Sequence, residues 1–250
     1  MNTYVSLLYS VATMNLIERS KKSIRNRRDV WKYNRHFKRT LKTFKSEEMK
    51  ELSEQYTTDN AVYAKYFRAD KTVEFSLNRV LYLDLDKKPR QRILDLGAGF
   101  GTFGRIASDL GHSYEGVDLP PNDSNINTLL FKEAFQILNP QSKRWECEIK
   151  RQQTLPFENG TYDLITAFQI VFHLFNTPNP WDEEDWIFFL KQLDDLLADG
   201  GRVCLHFSKP NHSDRFRPEF LDRIFSRVGA DFDGPYILMK KSSTCKIKSL

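Results

Sequence analysis

From Arg92 onward, short apolar runs alternate with segments of helical spacing. Ile93 to Leu96 is a compact apolar run that leads into a glycine-rich turn. Thr102 to Leu110 has helical spacing and stops at Gly111, and Ser113 to Leu119 reads as a strand that carries Asp118 at its end. Asn125 to Leu138 is helical up to Asn139-Pro140, Trp145 to Lys150 alternates weakly as an outer strand does, and Tyr162 to Phe168 is a dense apolar strand. Asp182 to Leu197 reads as a helix, with Asp182 and Asp185 resembling a capping box and Gly200-Gly201 ending it. Arg202 to Phe207 is a buried strand, Pro218 to Val228 a helix and Tyr236 to Lys240 a closing strand. Strands and helices that alternate from Arg92 onward predict a parallel sheet covered on both faces.

Ahead of this region the texture is helical and basic. Val30, Tyr33, Phe37, Leu41 and Phe44 recur at spacings of three and four, the apolar stripe of an amphipathic helix. Arg25, Arg28, Lys32, Arg35, Arg39 and Lys42 recur on the opposite face. One face is therefore expected to dock on the body while the other is a solvated basic ridge. Nucleic-acid phosphates or an anionic membrane are the alternatives for residues 19–45, but no aromatic is interleaved on the basic face to stack a base. Residues 46–80 look helical with breaks; Thr57-Thr58-Asp59-Asn60 is a turn, and Lys87-Lys88-Pro89-Arg90 a boundary.

Composition supports one sizeable core: 250 residues, 40% hydrophobic and 13% aromatic. Thr3 to Ile17 is too short and polar to span a bilayer, and no basic residue precedes it as in a secretory signal. Cys147, Cys204 and Cys245 have no paired spacing, so free thiols in a reducing, cytoplasmic setting are expected. The net charge of +5 is uneven: residues 19–45 hold twelve Lys or Arg against one acid, and residues 240–250 add four lysines. An acidic body lies between basic ends. No run of acids and histidines has metal spacing.

The chemistry concentrates in Asp95-Leu96-Gly97-Ala98-Gly99-Phe100-Gly101, between a strand and a helix. Glycines there let a ligand lie against bare backbone, and the helix start offers unpaired N–H groups. The G-x-G-x-G spacing is a poor fit to a pyrophosphate-binding loop. Asp118, 17 residues past Gly101, ends the next strand, where an acid accepts from two ribose hydroxyls.

This segment resembles motif I of the class I S-adenosylmethionine-dependent methyltransferases, and Asp118 matches their ribose-binding acid. Leu155-Pro156-Phe157 through Tyr162-Asp163-Leu164-Ile165 resembles the family's entry to strand four, and Leu196-Leu197-Ala198-Asp199-Gly200-Gly201 its turn into strand five. The resemblance covers about residues 90–240 and implies an α/β, Rossmann-like, seven-stranded, mostly parallel sheet with an N-terminal helical extension. It implies a helical cap over 1–80, a cofactor domain over 90–241 and a basic tail over 242–250. It puts S-adenosylmethionine against Asp95, Gly97, Ala98, Gly99, Phe100 and Gly101, its ribose on Asp118 and its adenine on Leu119. Where the family often has an adenine-binding Asp, this chain has Arg151, a donor, so adenine recognition is left to Gln152, a backbone group or nothing specific.

The acceptor is expected beyond strand four, at Gln169-Ile170-Val171-Phe172-His173, which lacks the Asn/Asp-Pro-Pro-Tyr box of many nitrogen methyltransferases. Gln169 is placed to touch cofactor or acceptor. His173 is the leading base, with His206 and His212 as alternatives. Trp181 and Trp186 either stack on a sugar or staple their loop to the core. The favoured expectation is methylation of a small molecule or glycan on oxygen; the alternatives are an RNA- or nucleotide-directed enzyme and a non-catalytic cofactor-binding module.

Overall fold

A computed structural model describes residues 35–58, 61–122, 126–168, 180–207, 219–233 and 235–241. Helix α1 covers 35–44, and α2 (Glu47–Thr57) follows, its first turn capped by the Ser46 side chain, which accepts from the Met49 N–H. Short 3-10 turns at Ala61–Lys65 and Leu85–Lys87 flank α3 (Ala69–Tyr82). Then come β1 (Arg92–Leu96), α4 (Thr102–Asp109), β2 (Ser113–Asp118), α5 (Ile126–Leu138), β3 (Lys143–Glu146) and β4 (Tyr162–Phe168). The chain continues through α6 (Glu183–Leu196), β5 (Leu197–His206), α7 (Glu219–Arg227), β6 (Asp231–Asp233) and β7 (Tyr236–Lys240).

The seven strands lie in the order β3-β2-β1-β4-β5-β7-β6, and β7 alone runs antiparallel to its neighbours. Strand order reverses between β1 and β4, so a crevice opens at their carboxyl ends, where open α/β sheets bind ligands. One face packs on α6 and α7 through an aliphatic and aromatic core that includes Leu94, Ile165, Val203, Trp186 and Phe225. The other packs on α2 to α5 through Ile93, Leu164, Phe103, Phe135, Val73 and Leu52. The N-terminal helices are thus part of this second core. In α1, Phe37 and Leu41 are partly buried and Phe44 fully, while Arg35, Arg39 and Lys42 are exposed, as the two-faced pattern requires.

Three elements depart from the sequence reading. The outer strand is Lys143–Glu146, not Trp145 to Lys150, because its partner β2 ends at Asp118; the last pair is Asp118 with Glu146, and the chain leaves the sheet after Cys147 donates to the Asp118 carbonyl at 2.9 Å. Helix α6 ends at Leu196, before the glycines, which lie inside β5. There the register with β4 shifts, and a Cβ on Gly201 would meet the Ala198 and Tyr162 carbonyls at 2.8 and 2.9 Å. The three-residue β6 was not foreseen: all of Asp231, Phe232 and Asp233 are exposed, so no apolar alternation marks it. The Asp182/Asp185 capping box is present as read.

Candidate cofactor and acceptor site

The turn after β1 is built from left-handed backbone. Gly97, Gly99 and Gly101 have φ of 75°, 55° and 71°. The Gly97 and Ala98 N–H groups both donate to the Val117 carbonyl, at 2.8 and 3.0 Å, which ties the turn to the end of β2. Gly99 N–H donates to Asp118 Oδ2 at 2.8 Å, and Leu119 N–H to Oδ1 at 2.8 Å. The two carboxylate oxygens thus spend one lone pair each on backbone, and both retain acceptor capacity. Burial raises the Asp118 pKa, opposed by those two N–H groups and by nearby Arg144.

The glycines differ in what surrounds them. A Cβ on Gly99 would meet nothing within 4 Å, so this position faces open space in the crevice. A Cβ on Gly101 would collide with Asn139 Nδ2 and the Phe135 ring. Asn139 Nδ2 donates to the Gly101 carbonyl at 3.0 Å, so Gly101 is bare to pack on α5 and Gly99 is bare toward open space. Phe100 is buried between them, its ring 5.4 to 6.1 Å from those of Phe44, Tyr66, Phe67 and Phe131. It anchors the turn to the N-terminal helices.

Asp95 lies beneath the turn. Tyr114 Oη donates to it at 2.9 Å and Thr166 Oγ1 at 2.6 Å. Full burial pushes its pKa up to about 6, against the pull of those hydroxyls and of Arg79. Each oxygen accepts one of these hydroxyls, which ties the end of β1 to β2 and β4, and Asp95 is only 3% exposed.

Beyond the turn, the ends of β4, β5 and β7 bring Phe168, His206 and Tyr236 into register. The His206 ring lies 4.6 Å from Tyr236 and 6.4 Å from Phe168, and Tyr82 of α3 stacks on Tyr236 at 4.2 Å. Burial, then Arg79, lowers the His206 pKa to about 4, so the ring is neutral at pH 7; its Nδ1 is buried without a hydrogen-bond partner. The Arg79 guanidinium sits 4.5 Å from the Phe168 ring centre. Among the described residues no carboxylate comes within ion-pair distance of it. Arg79 was not foreseen. The signal available was that Ser76, Arg79 and Tyr82 recur every three residues beside the apolar positions Val73, Leu77 and Val80.

The remaining sequence candidates are placed as follows. Leu119 is half-exposed at the lip of the crevice, next to Asp118. Gln152 is exposed in a left-handed conformation and its amide nitrogen donates to Asp185 Oδ1 at 3.5 Å, so it is turned toward the start of α6. Arg151 pairs with the same carboxylate at 3.3 Å. Trp181 and Trp186 are buried in the α6 core with their rings edge to face at 5.5 Å, so they staple the chain and offer no stacking surface. Gln169, His173 and His212 lie outside the described residues.

A family model described as "Methyltransferase domain" matches residues 64–231. The chain belongs to this methyltransferase family. It is an S-adenosylmethionine-dependent enzyme with the Rossmann-like sheet of that family. A curated relative is the sphingolipid C9-methyltransferase of Candida albicans, 28% identical over 125 residues, which are 50% of this chain and 23% of that protein. The methyltransferase chain thus spans about a quarter of this relative's length. Among solved structures, an O-methyltransferase family protein from Burkholderia thailandensis matches at TM-score 0.48 and 16% identity, covering 84% of this chain and 68% of that one. Phosphoethanolamine N-methyltransferase 2 from Haemonchus contortus, in complex with S-adenosyl-L-methionine, matches at TM-score 0.39 and 20% identity, covering 57% and 34%. Among the described residues no helix is long and apolar enough to cross a membrane, and no group of His, Cys, Asp and Glu is placed to hold a metal.

The crevice fits S-adenosylmethionine. It offers bare backbone with open space at Gly99 and spare lone pairs on a fixed carboxylate at Asp118, with the partly buried guanidinium of Arg79 beside Phe168.

Proposed function

We propose that this methyltransferase acts on a hydroxyl oxygen of a small molecule or glycan. The cofactor supplies a methyl group activated by its sulfonium. The chain's own part is alignment. Asp118 receives the ribose hydroxyls, Gly97 to Gly101 present backbone to the amino-acid end, and Leu119 covers the adenine. Arg79 faces the cofactor's carboxylate, the one anion in that molecule that matches a partly buried guanidinium. Gln152 is turned away to Asp185, which leaves the adenine amino group to backbone. Gln169 is assigned to cofactor or acceptor and His173 to removal of the acceptor proton.

Support for a hydroxyl-bearing sugar or ring as acceptor comes from the aromatic wall formed by Phe168, which is buried, and by His206 and Tyr236, which are partly exposed. Aromatic rings suit the apolar face of a sugar or a ring system. The absence of the Asn/Asp-Pro-Pro-Tyr box after β4 agrees. We also propose a cytoplasmic location, which the free thiols of Cys147 and Cys204 support.

The test is a panel of alcohols, phenols and glycosides set beside matched amines, with S-adenosylmethionine and product mass spectrometry. Turnover of hydroxyl acceptors, reduced by at least about tenfold in His173→Ala with cofactor affinity unchanged, is the expected result. Preferential turnover of the amines would overturn the oxygen assignment, and a wild-type rate in His173→Ala would remove that residue from the mechanism.

A further inference from the structure

A second cavity, of about 600 Å³, opens between the end of α1, the start of α2 and the start of α3. None of Gly97 to Gly101, Asp118, Phe168 or His206 lines it. Its apolar lining is Phe44, Met49 and Phe67, the first two almost fully buried. Its polar lining carries four cations, Lys45, Lys50, Arg68 and Lys71, against one carboxylate, Asp70. Two of these cations are neutralised within the structure: Lys45 pairs with Asp70 at 3.4 Å and Lys50 with Glu47 at 2.8 Å. Arg68 and Lys71 are exposed, and among the described residues neither has a carboxylate within ion-pair distance.

The approach to the cavity has the same character. Arg35, Lys38, Lys42 and Lys45 are all exposed and recur at three and four, so one face of α1 is a cationic stripe that ends at the cavity mouth. On α3, Phe75 lies one turn beyond Lys71 and is 64% exposed, which places an apolar ring beside the unpaired cations.

We propose that this cavity binds a single-chain lipid with a phosphate head. The chain lies on Phe44, Met49 and Phe67, and the head meets Arg68 and Lys71. Charge selects this occupant: a phosphate monoester carries about −1.5 to −2 at pH 7, matching two cations that lack a partner. Size agrees, since sites for small ligands run to roughly 300–1,000 Å³. Free phosphate leaves the apolar floor wet, and a neutral amphiphile leaves the cations unmatched. Because Phe44 and Phe67 also pack on Phe100, an occupant would touch the back of the glycine turn through two rings. The inference does not depend on the acceptor assignment.

The test is calorimetry on the full chain with dodecyl phosphate below its micelle concentration, beside inorganic phosphate and dodecyl maltoside. Dodecyl phosphate is expected to bind at least about tenfold more tightly than either, and Arg68→Glu with Lys71→Glu to weaken it by about tenfold or more. Both side chains are exposed, so that variant keeps its fold. Ser53→Trp, which puts an indole into the cavity, is expected to abolish binding while S-adenosylmethionine affinity stays unchanged. Equal binding of inorganic phosphate, or dodecyl phosphate binding that survives the double charge reversal, would overturn the proposal. So would sedimentation with anionic vesicles as the only lipid interaction, undiminished by Ser53→Trp, because that outcome reports surface charge alone.

Discussion

Gly99 and Gly101 stand two residues apart with similar backbone angles, yet their replacement by alanine should have opposite consequences. At Gly99 the added methyl meets no protein atom within 4 Å, so the only cost to the fold is the left-handed conformation at φ of 55°. That strain is about 1–2 kcal/mol, or a fall in melting temperature of roughly 2–8 °C for a chain of this size. The methyl does occupy the space facing the crevice, and cofactor affinity should fall by about ten- to a hundredfold, about 1.4 kcal/mol for each factor of ten. At Gly101 the same strain is joined by a collision with the Phe135 ring and displacement of Asn139, which is 4% exposed and donates to the Gly101 carbonyl. Added to that strain, overpacking at about 1–3 kcal/mol and a lost buried hydrogen bond of similar size bring the cost to about 3–8 kcal/mol. That is a large share of a typical total stability of about 5–15 kcal/mol. Thermal melts of the apo proteins and calorimetry with S-adenosylhomocysteine separate the two effects. Wild-type affinity in Gly99→Ala, or a Gly101→Ala melt no lower than that of Gly99→Ala, would refute the division of labour between the glycines.

Asp118→Ala removes the acceptor of the Gly99 and Leu119 N–H groups and should weaken S-adenosylhomocysteine binding by about ten- to a hundredfold with a retained circular dichroism spectrum; unchanged affinity would count against the ribose assignment. Asp95 titrates at about 6 when folded against an ordinary 3.8, so the folded state binds the extra proton and the favourable contribution is full below about pH 4 and lost as pH rises past 6. Relative to Asp95→Asn, wild-type stability in denaturant melts should therefore decline by about 3 kcal/mol across that window and stay level above it; a pH-independent difference would show that the carboxyl is not perturbed. Arg79→Met removes the second cause of the low His206 pKa, so the His206 NMR titration midpoint should rise from about 4 while staying below the ordinary value, because burial persists; an unmoved midpoint would separate the two side chains.

What the sequence displayed was whatever depends on local pattern. Strands such as Tyr162–Phe168 and Tyr236–Lys240 are marked by dense apolar runs, and the α6 start by its two aspartates. The glycine turn was legible because a left-handed turn after a strand demands glycine. What escaped was set by partners distant in the chain. The outer strand stops where β2 stops, a limit invisible in residues 143–150 themselves. The bond from Gly99 to Asp118 and the collapse of Gln152 onto Asp185 follow from where two loops meet. Arg79 belongs to the site only because α3 lies across the ends of β4 and β5, and Trp181 and Trp186 were ambiguous until α6 closed over them.

The division of the sheet explains why the chemistry gathers on one side. Alternation along a strand sends successive side chains to opposite faces, and registered positions line up across strands. Asp95 pairs with Thr166, and Thr166 with Cys204; one step further on, Phe168 pairs with His206, and His206 with Tyr236. All of these project toward α3 and α4, while their neighbours Leu96, Ala167 and Leu205 project into the apolar core under α6 and α7. A buried polar row needs donors and counter-charges from whatever covers it, and the cover here is the N-terminal helices, with Arg79 contributing the charge. Those helices also hold Phe100 of the glycine turn through Phe44 and Phe67. The N-terminal helices are therefore bound to the sheet beside the glycine turn and beside the row of Asp95 and His206, where we propose the cofactor lies, so a change that loosens them should weaken cofactor binding before it unfolds the sheet.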